Sequence, residues 1–273
     1  IGLGDMGSGI ALNLIKNGFK VFGCDLLPAR QEAFKEMGGS LETSISSIGK
    51  KWDAIFVMVM NGSQAKSIIF DEDGLAKNME EGSTVILSAT IKPSEAEEIG
   101  QLIKDTGIKF IDTPVSGGFP GAQSGTLTLM ASASEDVMSK NRDVLQAISS
   151  NIHHVGMEPG QGQTVKACLQ SLIGAQFSAT FEAAALAAKA GISGEVLHTV
   201  FSTSSAGCGI VNNALQKIID RQFEGTGSHI NTMHKDLTIS LNLAENLGVP
   251  MHTASAAMQI FHAGRTKYPD GVN

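Results

Sequence analysis

Strand-length apolar runs and helical periodicity alternate through the first half of the chain. The runs are Lys20 to Cys24, Ala54 to Val59, Thr84 to Leu87, Lys109 to Ile111 and Leu127 to Ala131. Between them, Ala29 to Met37, Ser63 to Phe70, Ser94 to Thr106 and Glu135 to Ile148 repeat apolar positions at helical spacing. Strands that alternate with helices predict a parallel, doubly wound sheet, the α/β class. Val155 to Gly160, with two glycines and a proline, breaks the rhythm, and the strand pattern then stops. Gln163 to Ala190 is a long helical stretch whose only charges are Lys166, Glu182 and Lys189. A helix apolar all round is a buried helix, so this one is expected to join two halves through the middle of the protein. Further helices are expected over Gly194 to Ser202, Gly209 to Ile219, Ile230 to Leu247 and Met251 to Ala263. The expected architecture is a Rossmann-type nucleotide-binding domain over 1–159 and an all-helical domain over 160–273, joined by the long central helix.

The first residues change this from a fold into a site. Ile1-Gly2-Leu3-Gly4-Asp5-Met6-Gly7 fits G-x-G-x-x-G, and an apolar helical stretch, Ile10 to Ile15, follows at once. Gly2 allows the tight turn, Gly4 lets the backbone approach a pyrophosphate, and Gly7 lets the helix pack close to its strand. Asp5 and Met6 lie in the same turn, where helix N–H groups and dipole favour a phosphate. The Val21 to Cys24 run ends in Asp25, about 20 residues beyond the motif, where a carboxylate accepts from an adenosine ribose hydroxyl and repels a 2′-phosphate. The cofactor expected is therefore NAD in preference to NADP. A single Ile1 is too short for a central strand, which typically needs about five residues. The chain is therefore expected to begin further upstream.

Composition narrows the classes further. The 273 residues are 42% hydrophobic, enough for a real core, and the formal net charge is −7. That balance leaves no basic footprint for nucleic acid or an anionic membrane. The three cysteines, Cys24, Cys168 and Cys208, are widely spaced and read as reduced thiols of an intracellular protein. The seven histidines form no pair at ligand spacing, so no metal is expected, and His153-His154 reads as the end of a strand. No apolar run is long enough to span a bilayer. A cytoplasmic address is expected, with the mitochondrial matrix open because an upstream presequence would not be seen.

Three further segments carry chemistry-bearing residues. Asp112 to Gly118 follows the Lys109 to Ile111 run; Ser116 offers a hydroxyl, and Gly117 and Gly118 offer unobstructed amides. Ligands of doubly wound sheets bind off strand carboxyl ends, so the segment is either a carboxylate cradle or a plain glycine-rich connection. Gly160 to Lys166 opens the long helix, with Gln170 one turn past Lys166 on the same face. Lys166 is either a snorkelling surface residue or a buried amine; burial near a helix N-terminus favours the neutral form that acid–base chemistry needs. His234-Lys235-Asp236-Leu237 interrupts an otherwise apolar helix, and reads from charge pattern as a solvated face. Met60-Asn61 and Ser88-Ala89-Thr90, also at strand ends, either touch a nicotinamide ribose or cap the next helix.

In this order the four motifs resemble the β-hydroxyacid dehydrogenase family, which includes 3-hydroxyisobutyrate and L-threonate dehydrogenases, over essentially all 273 residues. The resemblance implies that Ser116, Gly117 and Gly118 bind the substrate carboxylate, that Lys166 is the catalytic acid/base, and that Lys235 lies by the substrate and the nicotinamide. Gln170 stands where the family often has a substrate-binding Asn, and Leu169 stands where a second Asn is common. Glutamine there resembles the L-threonate branch more than the 3-hydroxyisobutyrate branch. The implied reaction is hydride transfer between NAD and a short hydroxy acid; a homo-oligomer is expected because a helical domain this apolar should bury its helices against a partner as well as against itself. The alternatives are an NADPH-dependent glyoxylate or succinic semialdehyde reductase of the same family, which Asp25 opposes, and a non-catalytic nucleotide-binding scaffold, which the presence of Lys166 opposes.

Overall fold

The computed structural model describes residues 1–42, 44–47, 52–226 and 229–267; the chain end at 268–273 lies outside them. Two compact units emerge, Ile1–Lys166 and Ala167–Asn273.

The first unit runs α1 (Asp5–Lys16), β1 (Phe22–Gly23), α2 (Pro28–Glu36), β2 (Ser40–Leu41), β3 (Ala54–Val57), α3 (Gly62–Phe70), α4 (Leu75–Asn78), β4 (Thr84–Leu87), α5 (Pro93–Lys104) and β5 (Lys109–Asp112). It continues with β6 (Val115–Ser116), α6 (Gly118–Ser124), β7 (Leu127–Ser132), α7 (Glu135–Lys140), α8 (Arg142–Gln146) and β8 (Ser149–Gly156). Strands β3, β4 and β5 pair in parallel, as do β1 and β2. The Ile1–Leu3 stretch links these two groups: the Ile1 amine donates to Phe56 O at 2.7 Å, Met58 N donates to Ile1 O at 3.0 Å, and Gly2 N donates to Cys24 O at 2.9 Å. Ile1 thus pairs toward β3 and Gly2 toward β1, where the sequence alone left Ile1 without a strand.

β4 is buried at all four positions, with Val85 and Leu87 in one apolar cluster and Ile86 in another. That is the two-residue alternation of a strand covered on both faces. One departure from the all-parallel expectation lies at β7, which runs antiparallel to β5 and β6. Only residues 117–126 separate β6 from β7, and a parallel crossover needs a dozen or more. β2 and β8 carry no continuous apolar run, because edge strands expose polar side chains; β8 reads Ser-Ser-Asn-Ile-His-His-Val-Gly. The helix expected over 135–148 is two helices. They part at Asn141, whose buried amide donates to Thr84 Oγ1 at 3.0 Å and to Val137 O at 2.8 Å.

Helix α9 (Gln161–Lys189) starts in the first unit and continues into the second, which adds α10 (Gly194–Thr203), α11 (Gly209–Ile219), α12 (Ile230–Leu247) and α13 (His252–Lys267). Met233 and Leu237 of α12 pack with Ala254, Ala257 and Phe261 of α13. α9 is not buried all round: Leu172 is 58% exposed and Leu186 73%. Its apolar residues outnumber those its own neighbours cover. Among the described residues no helix is long and apolar enough to cross a membrane.

Candidate active site

The glycine turn has the geometry its spacing implies. Gly2 adopts φ +85°, a left-handed conformation, and a side chain there would strike Met58 O. A Cβ at Gly7 would strike Gly2 O, so α1 begins hard against the turn. Gly4 is the extended N-cap of α1 and offers no side-chain cap, leaving the first amides of the helix pointed outward. Asp5 and Met6 follow within that first turn.

Asp25 is fixed beside the turn. Its Oδ2 accepts from Leu3 N at 2.7 Å and its Oδ1 from Leu27 N at 2.9 Å. Arg30, which sequence reasoning passed over, brings Nη1 within 3.6 Å of Asp25 Oδ2 and lays its guanidinium 3.6 Å from where a Gly4 Cβ would be. Asn61 caps α3 by accepting from Gln64 N at 2.9 Å, so the capping alternative holds for its side chain. Met60 is 60% exposed. Ser88 is fully buried at the end of β4, and its hydroxyl has no protein partner. Thr90, two residues on, is half-buried.

The centre of the unit is Asp112, fully buried at the end of β5. Its Oδ2 accepts from Gly160 N at 2.9 Å, Gln163 N at 3.3 Å and Ser132 Oγ at 3.3 Å, and its Oδ1 accepts from Gln163 Nε2 at 2.7 Å. Burial pushes its carboxyl up from 3.8 to about 6, and these hydrogen bonds hold it from going further. The carboxylate therefore seats the first turn of α9, where negative charge is favoured. Gly160 at φ +92° and Gly162, which leaves no room for a Cβ against Met130 O, let α9 start that close. Gln163 closes the arrangement: Nε2 also donates to Ala89 O at 3.0 Å, and Oε1 accepts from Ile91 N at 3.0 Å. The segments at Asp112 and at Gly160, distant in sequence, thus meet. Sequence reasoning assigned no role to Asp112, Ser132 or Gln163. The one available signal was an acidic residue in an apolar strand, which must find partners when buried.

Lys166 follows Gln163 by three residues, close to one helical turn, and is buried. Ser116 ends β6 half-buried, and Gly117 and Gly118 follow at φ +127° and +58°, backbone that other residues rarely adopt.

In the second unit, Gln170 Nε2 donates to Asp236 Oδ2 at 2.5 Å, and Lys235 Nζ lies 3.0 Å from Asp236 Oδ1. Asp236 is buried, correcting the reading of His234 to Leu237 as a solvated face; the helix turns Asp236 and Leu237 inward. His234 stays outside, against Arg265 Nη1 at 2.9 Å. Partial burial, Arg265 and His262 hold its imidazole below the usual histidine range.

Comparison with known proteins settles the family. A family model of the NAD binding domain of 6-phosphogluconate dehydrogenase matches residues 1–156. A second, described as NAD-binding of NADP-dependent 3-hydroxyisobutyrate dehydrogenase, matches 160–271. L-threonate dehydrogenase of Escherichia coli K12 is 33% identical over all of this chain and 91% of its own. The chain belongs to the β-hydroxyacid dehydrogenase family. Mouse mitochondrial 3-hydroxyisobutyrate dehydrogenase is 30% identical over 96% of this chain and 79% of its own. The crystal structure of a Salmonella typhimurium 3-hydroxyisobutyrate dehydrogenase superposes with TM-score 0.89 at 32% identity, covering 98% of this chain and 93% of that one. This β-hydroxyacid dehydrogenase is thus an NAD(P)-binding oxidoreductase with a Rossmann domain and a helical domain. The glycine turn fits the group: Gly2 and Gly7 permit the tight turn and the close start of α1, and Gly4, without a side chain, leaves the helix N-terminus open to a pyrophosphate.

Proposed function

We infer that the chain oxidises a short hydroxy acid with NAD, with Lys166 as general acid/base. The observation that carries this reading is a buried lysine on the second turn of a helix whose start is seated on a buried carboxylate. A long cationic side chain is rarely buried without a task. Gly2, Gly4, Asp5, Met6, Gly7 and Asp25 would hold the cofactor, with Met60, Asn61 and Thr90 toward its nicotinamide half. The nicotinamide supplies the hydride acceptor. Ser116 and the Gly117 and Gly118 amides take the substrate carboxylate, while the neutral Lys166 amine accepts the proton of the hydroxyl being oxidised. In reduction the protonated amine returns it. Gln170 and Lys235 are assigned to the substrate, and Lys235 to the cofactor as well, by the family likeness.

Asp25 supports NAD, since its fixed carboxylate opposes a 2′-phosphate. The substrate we favour is L-threonate or a similar polyhydroxylated acid. Gln170 and the full-length likeness to L-threonate dehydrogenases support it. The exposed Leu172, Leu186, Val196 and Val200 of the helical unit support a homo-oligomer. The deciding experiment is NAD reduction by the purified protein over L-threonate, 3-hydroxyisobutyrate, serine and glycerate. Turnover highest on threonate is expected; turnover with none of them, or only with NADP, overturns the reading.

A further inference from the structure

The amide of Gln163 touches both the Ala89–Ile91 loop beyond β4 and the Asp112 carboxylate at the end of β5. It is 1% exposed, and each of its polar atoms is engaged. Nε2 spends one donor on Asp112 Oδ1 and the other on Ala89 O, and Oε1 accepts from Ile91 N. Ala89 and Ile91 flank Thr90 in the loop beyond β4, and Lys166 lies three residues further along α9. A helix has two freedoms at its start, rotation about its axis and sliding along it. The Asp112 carboxylate limits sliding by holding the Gly160 and Gln163 amides. Gln163 limits rotation, because its side chain is tied to a strand end on one side and to a loop on the other.

We propose that Gln163 is a positioning residue, setting the register of Lys166 against the Ala89–Ile91 loop. The proposal rests on Lys166 as the acid/base. Only an amide supplies two donors and an acceptor at this position. Glutamate would keep the acceptor for Ile91 N, lose both donors, and set a second carboxylate against Asp112. A reacting geometry displaced by about 1 Å costs about a hundredfold in rate, so the loss is expected in turnover and not in cofactor affinity.

The test uses the full chain, with turnover counted per NADH-binding site by fluorescence titration so that unfolded protein drops out. Gln163→Ala is expected to lower kcat by about 10- to 100-fold, with the KM for the hydroxy acid and the Kd for NADH within about threefold of the parent. Gln163→Glu is expected to lower kcat at least as far. Asp112→Asn combined with Gln163→Glu restores a donor–acceptor pair between the two positions, and is expected to recover part of that loss. Should Gln163→Ala fail to fold, the Gln163→Glu variant and its double mutant decide alone. Unchanged kcat per binding site, or a double mutant no better than Gln163→Glu, overturns the proposal. Near-parental kcat in Lys166→Ala would instead remove the acid/base reading on which it rests, and that measurement is separate.

Discussion

The Asp112 carboxylate accepts a 2.7 Å hydrogen bond from the Gln163 side chain, across 51 residues of sequence. One buried contact thereby joins the strand that leads to Ser116 with the helix that carries Lys166. Ser132 adds a second link, donating to the same carboxylate at 3.3 Å and accepting from Gly162 N at 3.2 Å.

That carboxylate has a pH signature. Its folded value of about 6 lies above its unfolded value of 3.8. The folded state therefore binds the proton more tightly, and the associated stability is full below about pH 4 and lost as pH rises through about 6. A shift of that size corresponds to roughly 3 kcal/mol. Asp112→Asn removes the titration, so its stability relative to the parent should climb between pH 4 and pH 6 and then level. Urea midpoints across that range check it; a constant difference counts against a raised Asp112.

Lys166→Ala should lower kcat by about 10² to 10⁴-fold while leaving NADH binding nearly intact, the signature of a lost proton path. Steady-state kinetics beside a fluorescence titration separate the two. A variant that turns over like the parent would move attention to Lys235.

Asp25→Ala removes a charged acceptor from the cofactor side of the turn and also strips Leu3 N and Leu27 N of their partners. A charged hydrogen bond contributes about 1.5–3 kcal/mol, so NAD affinity should fall by about 10- to 100-fold. NADP should lose less, because the repulsion leaves with the carboxylate. Equal losses for both cofactors would argue that Asp25 only braces the loop.

At Gly162 an added Cβ would press on Met130 O and sit 2.9 Å from Asp112 O, both backbone atoms that cannot swing away. Gly162→Ala should cost about 1–3 kcal/mol and depress turnover together with stability. Gly209→Ala meets nothing within 4 Å and begins α11, so it should be neutral or stabilise by up to about 1 kcal/mol. Thermal melts of the pair make the comparison.

The helical unit exposes Leu172 and Leu186 on α9. Light scattering behind gel filtration should return a dimer or larger. Leu172→Ser with Leu186→Ser should shift the protein toward monomer, and a parent that is already monomeric would refute the association.

Most elements were legible along the chain, for a local reason. Helix periodicity, caps and apolar runs involve residues within a turn or two of one another, so α1, α9, β3, β4 and the glycine turn could be located without a fold. The edge strand β2 was not legible, and β8 was seen only as a strand ending near His153-His154, since a strand with one open side needs no apolar run and is held by backbone bonds to a distant partner. Asp236 misled for a related reason: charge pattern records what a residue is and not which way its helix is turned, and α12 turns it onto Gln170.

The sequence by itself determined the order of strands and helices, the dinucleotide turn, and the residue types at Asp25, Ser116, Lys166 and Gln170. Tertiary structure alone decided that β7 reverses, that α9 leaves apolar residues uncovered, and that Asp112, Ser132 and Gln163 seat the helix bearing Lys166. The reason is physical: periodicity encodes which face is apolar, whereas a buried polar group is satisfied by whichever donor the packed chain brings within about 3 Å.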